Sequence, residues 1–173
     1  MSRAFTREDD ARDPVIPRPL SPLLPGTRNY LTASGAERLR RELTHLLEQA
    51  RPRLVARAAE GAKSGADAGE ELATVENRIA GLQHCLSTAQ VSYPPPPPHE
   101  VVRFGATVTV RDPGGTETTY RIVGADETEP EKNAISWQSP LARALLNAHL
   151  GAEVSFHSPS GPQRLRIAAI GYE

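Results

Sequence analysis

Asp67 and Glu70 stand three positions apart, with Glu71 directly after, in a chain of 173 residues that gathers reactive side chains in few other places. On a helix, positions three apart share a face, so the two carboxylates could meet one hard divalent cation. The same spacing has a purely structural reading. Asp67 would cap the start of a helix and Glu70 would reach back to it, a capping box with Asp in place of Ser or Thr. Acidic residues in a first turn also suit the helix dipole without any metal. The spacing leaves both readings open, and the cap is the simpler of the two.

The remaining candidates are weaker. Arg38, Arg40, Arg41, Arg51, Arg53, Arg57 and Lys63 fall along one stretch. Interleaved with Glu37, Glu42, Glu48 and Glu60, they read as a solvated helix face of paired charges. His45, His84, His99, His149 and His157 show no metal-ligand spacing. His84 and Cys85 are adjacent, so on a helix their side chains diverge. No nucleophile motif, phosphate loop or nucleotide fingerprint is present.

Composition narrows the classes further. Lys and Arg number 20 against 21 Asp and Glu, so bulk attraction to nucleic acid or an acidic membrane gets no support. Only 38% of residues are hydrophobic and 5% aromatic, which disfavours one large core and predicts an elongated or unstructured part. No apolar run approaches the roughly 18 residues of a membrane span. A single cysteine, Cys85, excludes an intrachain disulfide framework and a Cys-rich zinc site. Glu8, Asp9 and Asp10 sit where the apolar core of a signal peptide would lie, so the expectation is a soluble, cytoplasmic protein.

Four regions must position these residues. Residues 1–29 carry Pro14, Pro17, Pro19, Pro22 and Pro25 with little apolar periodicity, and read as a flexible Pro-rich arm. Residues 30–91 read as helical. Thr32 is the expected N-cap, and Leu39, Leu43, Leu46, Ala50 and Leu54 recur at spacings of three and four. Pro52 removes a backbone donor inside this stripe, which predicts a break near Gln49–Arg51. Gly61, Gly65 and Gly69 predict a helix end and a turn. A second seam follows at Leu72, Val75, Ile79, Leu82, Leu86 and Ala89. Residues 31–64 hold seven Lys/Arg against four Asp/Glu, and residues 65–90 hold one against four, a bias that favours pairing the two arms as an antiparallel hairpin.

Tyr93 and Pro94 to Pro98 make residues 92–100 a semi-rigid polyproline spacer. Residues 101–173 then read as a small sheet with one short helix. Strands are expected at Ala106–Arg111, Thr118–Val123, Ala134–Trp137, Ala152–Phe156 and Gln163–Ile170. Ser139 and Pro140 start the helix as cap and first residue; Leu141, Leu145, Leu146 and Leu150 form its apolar face, and Gly151 ends it. The fold class is α+β.

At this point the residues resemble a known family. Leu31-Thr32-x-x-Gly35-x-x-x-Leu39-x-x-Glu42-Leu43, Arg51-Pro52, Phe104-Gly105-Ala-Thr-Val and Tyr120-Arg-Ile-Val-Gly124 with Asp126 and Glu127 are similar to the GreA/GreB transcript cleavage factors of bacterial RNA polymerase. So are Ile135-Ser136-x-x-Ser139-Pro140-Leu-Ala-Arg-Ala-Leu-Leu146 and Gly151 with Glu153-Val154. The likeness is GreB-like with a shortened, modified tip, and it leaves residues 1–29 outside.

The resemblance implies a coiled-coil hairpin and a C-terminal domain of the FK506-binding-protein (FKBP-like) type. It implies an accessory factor rather than an enzyme. The C-terminal domain, with the Ser139-Pro140 turn near its polymerase-binding surface, would dock on the polymerase, and the hairpin would enter the secondary channel. Asp67 and Glu70 would be the catalytic carboxylates. With Glu71 in part, they would help hold a magnesium ion shared with the polymerase while backtracked RNA is hydrolysed. Arg57 and Lys63, nearest the tip, would touch RNA phosphate. Of the family's Asp-x-Ser-Glu-Asn tip, only the Asp-x-x-Glu spacing is kept, and the hairpin is shorter than usual by roughly two helical turns. Two readings follow: a cleavage factor with a modified tip, or a relative that occupies the channel without stimulating cleavage. A third, a peptidyl-prolyl isomerase, would need several aromatics around one concave pocket, whereas Phe104, Tyr120, Trp137, Phe156 and Tyr172 are spread along the chain. A self-associating coiled-coil module is the remaining rival; an intramolecular hairpin predicts a monomer.

Overall fold

The computed structural model describes residues 27–59, 63–158 and 161–172, with side chains omitted for 63–66. Residues 1–26 of the expected Pro-rich arm, and Gly61 and Ala62 of the expected turn, therefore lie outside the described residues, while Asn29, the last residue of that arm, is buried.

The chain enters through a short strand, β1 (Tyr30–Thr32), and turns into α1 (Ala33–His45). Thr32 is the N-cap, its hydroxyl accepting from the Gly35 N–H at 3.0 Å. The α-helical ladder then opens into a π turn over Leu46–Ala50 before α2 (Arg51–Ala59) resumes it. Pro52 has no N–H, and its ring would collide with the carbonyl of residue 48 in a continuous helix. Widening the turn ahead of it, with the Arg51 N–H bonded to the Leu46 carbonyl, removes that conflict. The break falls where Pro52 predicts it.

The return helix α3 (Lys63–Thr88) corrects one expectation. Gly65 and Gly69 lie inside it rather than in a turn. Each glycine costs a helix about 1 kcal/mol against alanine, which a buried seam outweighs. That seam pairs Leu39, Leu46 and Leu54 with Val75, Ile79 and Leu82, Leu39 and Leu82 being fully enclosed. Cross-arm ion pairs run in opposite senses along the two arms: Glu42 with Arg78, Arg51 with Glu76, and Arg57 with Glu71. The arms are thus antiparallel. At the base β2 (Gln90–Ser92) lies beside β1 in parallel, with Leu31 opposite Val91.

The C-terminal unit is a five-stranded sheet in the order β5-β4-β3-β7-β6. Its strands are β3 (Ala106–Arg111), β4 (Glu117–Val123), β5 (Ala134–Ser136), β6 (Glu153–Ser158) and β7 (Gly161–Tyr172). Alternation places Ala106, Val108 and Val110 on the covered face, where they meet Ile122, Leu165 and Ile167. Helix α4 (Pro140–Leu145) closes that face with Ala142 and Leu145. It is shorter than expected. The Leu146 N–H caps it on the Ala142 carbonyl and Asn147 takes a φ of 64°, so Leu150 lies beyond the helix and half exposed. Gly151, with φ 82°, serves the turn into β6 instead. The architecture is α+β, a helical hairpin beside a small curled sheet.

Candidate functional site

At the far end of the hairpin Asp67 and Glu70 both face water. Helix α3 begins four residues before Asp67 and carries no acidic residue in its first turn, so the capping-box reading does not hold. What remains is a pair of carboxylates on adjacent turns of one face, aimed away from the buried Ala68. Glu71, four positions after Asp67 and so also on its side of the helix, ties to Arg57 of α2 at 3.1 Å, both groups near half exposed. Its carboxylate is therefore engaged across the hairpin rather than added to the Asp67–Glu70 set. The same contact engages Arg57, one of the two residues expected to meet RNA. The side chain of Lys63, the other, lies outside the described residues. Among the described residues no three His, Cys, Asp or Glu side chains converge as a metal cage. As a donor set, two exposed carboxylates suit part of the oxygen shell of a hard divalent cation, the rest coming from elsewhere.

At the other end Thr32, the expected N-cap, meets Glu127, to which the sequence reading gave no separate role, and the two lock the hairpin to the sheet. The Glu127 side chain, from a turn after β4, is almost wholly buried against the start of α1. One oxygen accepts the Thr32 N–H at 2.7 Å, and the other accepts the Thr32 hydroxyl at 2.6 Å. That hydroxyl in turn accepts from Gly35, so one carboxylate closes the helix start. Burial raises the Glu127 pKa above the ordinary carboxylate value; the bonds from Thr32 and the nearby Arg38 and Arg121 oppose that shift without cancelling it. The fit leaves no slack. A methyl group at Gly35 would lie 2.2 Å from the Glu127 carboxyl carbon, and one at Gly124 would lie 2.2 Å from the Tyr30 carbonyl.

Further contacts surround this lock. Tyr30 packs against Phe104 and Trp137, with ring centres 5.6 and 5.5 Å apart. Arg38 pairs with Glu129 at 3.0 Å, and Arg121 donates to the Ser34 hydroxyl at 2.8 Å. Asn29 donates to the Cys85 carbonyl at 2.9 Å, and the Cys85 thiol donates to Asp126 at 3.2 Å. Burial first, then the Asp126 carboxylate, pushes that thiol up to about 11. Gly35, Gly124 and Glu127 all fall within the quoted motifs. Gly35 and Glu127 lie 92 positions apart, and no local pattern connects them.

Ser139 and Pro140 sit at the start of α4, where the Ser139 hydroxyl accepts from the Ala142 N–H at 3.2 Å. Pro140 is exposed. Phe104, Tyr120, Trp137, Phe156 and Tyr172 are half-buried against the sheet core and line neither of the two described clefts. The aromatic basin that a prolyl isomerase would need is absent among the described residues.

Both halves of the chain match known family models. Residues 29–91 match the family described as "Transcription elongation factor, N-terminal", and residues 97–172 match "Transcription elongation factor, GreA/GreB, C-term". Transcription elongation factor GreA of Chloroflexus aggregans is 36% identical over 150 residues, spanning 82% of this chain and 96% of the relative. Transcription elongation factor GreB of Neisseria meningitidis is also 36% identical, over 156 residues, spanning 84% and 95%. Among solved structures, GreA factor homolog 1 (Gfh1) of Thermus thermophilus is 27% identical, with a TM-score of 0.39 over 84% of this chain and 99% of that one. GreA relatives are 36–39% identical and GreB relatives 36%, a spread that singles out neither subtype. With both halves matched and full-length relatives above 30% identity, the chain belongs to the GreA/GreB family of transcription elongation factors.

Proposed function

We propose that this protein binds bacterial RNA polymerase, inserts its hairpin into the secondary channel and stimulates hydrolysis of backtracked RNA by the polymerase's own active site. The protein is an accessory factor, not an enzyme, and acts as a monomer in the cytoplasm. Residues 101–173 are the docking unit, with the exposed Pro140 and the Ser139 turn at the contact. One observation carries the reading. Asp67 and Glu70 stand exposed on one face near the far end of a hairpin whose base is locked to the other unit through Thr32 and Glu127.

Asp67 and Glu70 would hold a magnesium ion shared with the polymerase, which when bound supplies Lewis-acid activation of a water. The chain's own residues do the positioning. The Leu39–Leu82 seam keeps the two arms together, the Arg57–Glu71 pair fixes α2 against α3 just behind the carboxylates, and the lock at the base passes the docked orientation up to the tip. Cross-hairpin pairing leaves Arg57 as a positioning group with a second use, to meet RNA phosphate when the pair opens.

The test uses a stalled, backtracked elongation complex. Added protein is expected to shorten the RNA, and the Asp67→Ala/Glu70→Ala double variant to slow that cleavage by about a hundredfold, a usual cost for losing groups aimed at developing charge. Both residues are exposed, so the variant is expected to keep its melting temperature and its ability to compete for the polymerase. Cleavage unchanged in the variant would overturn the catalytic tip. Binding without any cleavage by the parent would favour a modulator that fills the channel. The engagement of Glu71 by Arg57, which leaves two rather than three carboxylates at the tip, is the observation that keeps this second reading in view.

A further inference from the structure

Between α1 and the outer face of the sheet lies a cleft of about 450 Å³ that the tip chemistry does not use. Ser34, Arg38 and Arg41 line it from α1; Thr107, Thr119 and Arg121 line it from β3 and β4. Lys132 and Glu129 stand at one side and Glu127 lies in its wall. Four cationic side chains therefore face two carboxylates, Glu127, which also accepts two bonds from Thr32, and Glu129. Glu129 is shared between Arg38 and Lys132, at 3.0 and 2.7 Å. Arg41 makes no ion pair or hydrogen bond among the described residues.

The lining also offers hydroxyl groups, set beside the apolar Val123 and Ala134. Thr107 stands directly opposite Arg121 across the β3–β4 ladder, and its hydroxyl is cut off from water with no hydrogen-bond partner. The Arg121 guanidinium, a planar group suited to bidentate oxyanions, donates to the exposed Ser34 hydroxyl among its contacts. Aromatic side chains are missing from the lining, so nothing there would stack a base or hold a peptide. The opening of α1 adds the positive end of its dipole on the same side. The excess of cationic side chains and the donor chemistry favour a compact polyanion that sits on the Arg and Lys side of the cleft.

We propose that this cleft binds a small di- or triphosphate anion, gripped by Arg41 and Arg121 with Lys132 closing on it. The ligand would bridge α1 and the sheet and so clamp the hairpin base to the docking unit. The site lies at the base of the hairpin, and its occupancy does not depend on what Asp67 and Glu70 do.

The experiment is calorimetric titration of the full chain with pyrophosphate, GTP and inorganic phosphate, at low and at physiological salt. Pyrophosphate and GTP are expected to bind, more weakly as salt rises, and inorganic phosphate to bind at least tenfold more weakly than either, since it engages fewer of the donors. Arg41→Ala is expected to weaken pyrophosphate binding by about five- to tenfold, as removal of one charge-assisted contact does. Arg40→Ala, which removes an exposed neighbouring charge outside the cleft, is expected to leave it unchanged. Equal losses in the two variants, or no heat from pyrophosphate at millimolar concentration, would overturn the proposal. Pyrophosphate binding as tight as GTP binding assigns recognition to the phosphates. GTP binding with no pyrophosphate binding would also overturn it, because the contacts would then lie with the base.

Discussion

Gly35→Ala is the most demanding test of the junction between hairpin and sheet. The added methyl group would fall 2.2 Å from the Glu127 carboxyl carbon and 2.3 Å from one of its oxygens. No real contact is that short, so either the helix start or the carboxylate must move. Overpacking of this kind costs about 1–3 kcal/mol. Displacing Glu127 also breaks two hydrogen bonds to a charged group, worth about 1.5–3 kcal/mol each, part of which returns as the carboxylate regains water. A net loss of about 3 kcal/mol is the central expectation. Trp137 reports it directly: it is the only tryptophan in the sequence and its ring lies 5.5 Å from that of Tyr30 at the junction. With a urea slope near 2 kcal/mol per molar, the fluorescence midpoint is expected to fall by about 1.5 M. Gly69→Ala is the matched control. It lies inside α3 with nothing within 4 Å of the new methyl group, so it is expected to stabilise by about 0.5–1 kcal/mol. A Gly35→Ala midpoint within about 0.3 M of the parent would refute the reasoning about the lock.

Two further outcomes follow from the same contacts. The folded-state pKa of Glu127 is raised, so between its ordinary value of 4.5 and the raised one the folded chain holds more protons than the unfolded chain. Stability should therefore increase as pH falls through that window and decrease as it rises. Glu127→Gln should flatten this dependence in urea titrations, and an unchanged slope would assign it to other groups. Cys85 is buried with its thiol pushed up to about 11, so it should resist disulfide-exchange reagents at pH 8 and react fully once urea unfolds the chain. Rapid labelling of the native protein would contradict the burial.

Local chemistry made much of the fold legible. Thr32 announced a capped start, and alternating valines and threonines announced β3. Pro52 announced the break because its consequences reach only one turn back along the chain. The glycines misled for a related reason. Gly65 and Gly69 carry a modest helix penalty, and a local reading has no means to weigh it against a seam formed with residues of the other arm. Leu150 misled because the spacing of leucines continues past the point where Asn147 turns the backbone. The tip carboxylates could be named from spacing, yet whether they open a helix depended on where α3 begins. Glu127 was the deepest omission. Its partner Thr32 lies 95 residues away, and an acid after a strand looks like a surface residue until that contact forms. The same distance hides the cleft, whose two walls come from α1 and from β3 and β4.

The parallel pairing of Tyr30–Thr32 with Gln90–Ser92 brings the way into the hairpin and the way out of it side by side. Everything between those two strands is thus a cassette with a fixed footprint. Matched turns can be added to or deleted from the outgoing and returning arms, and the reach of the probe then changes while its mounting stays the same. Hairpins of different length or tip chemistry could in this way be exchanged on one platform, provided each returns to the same pair of strands.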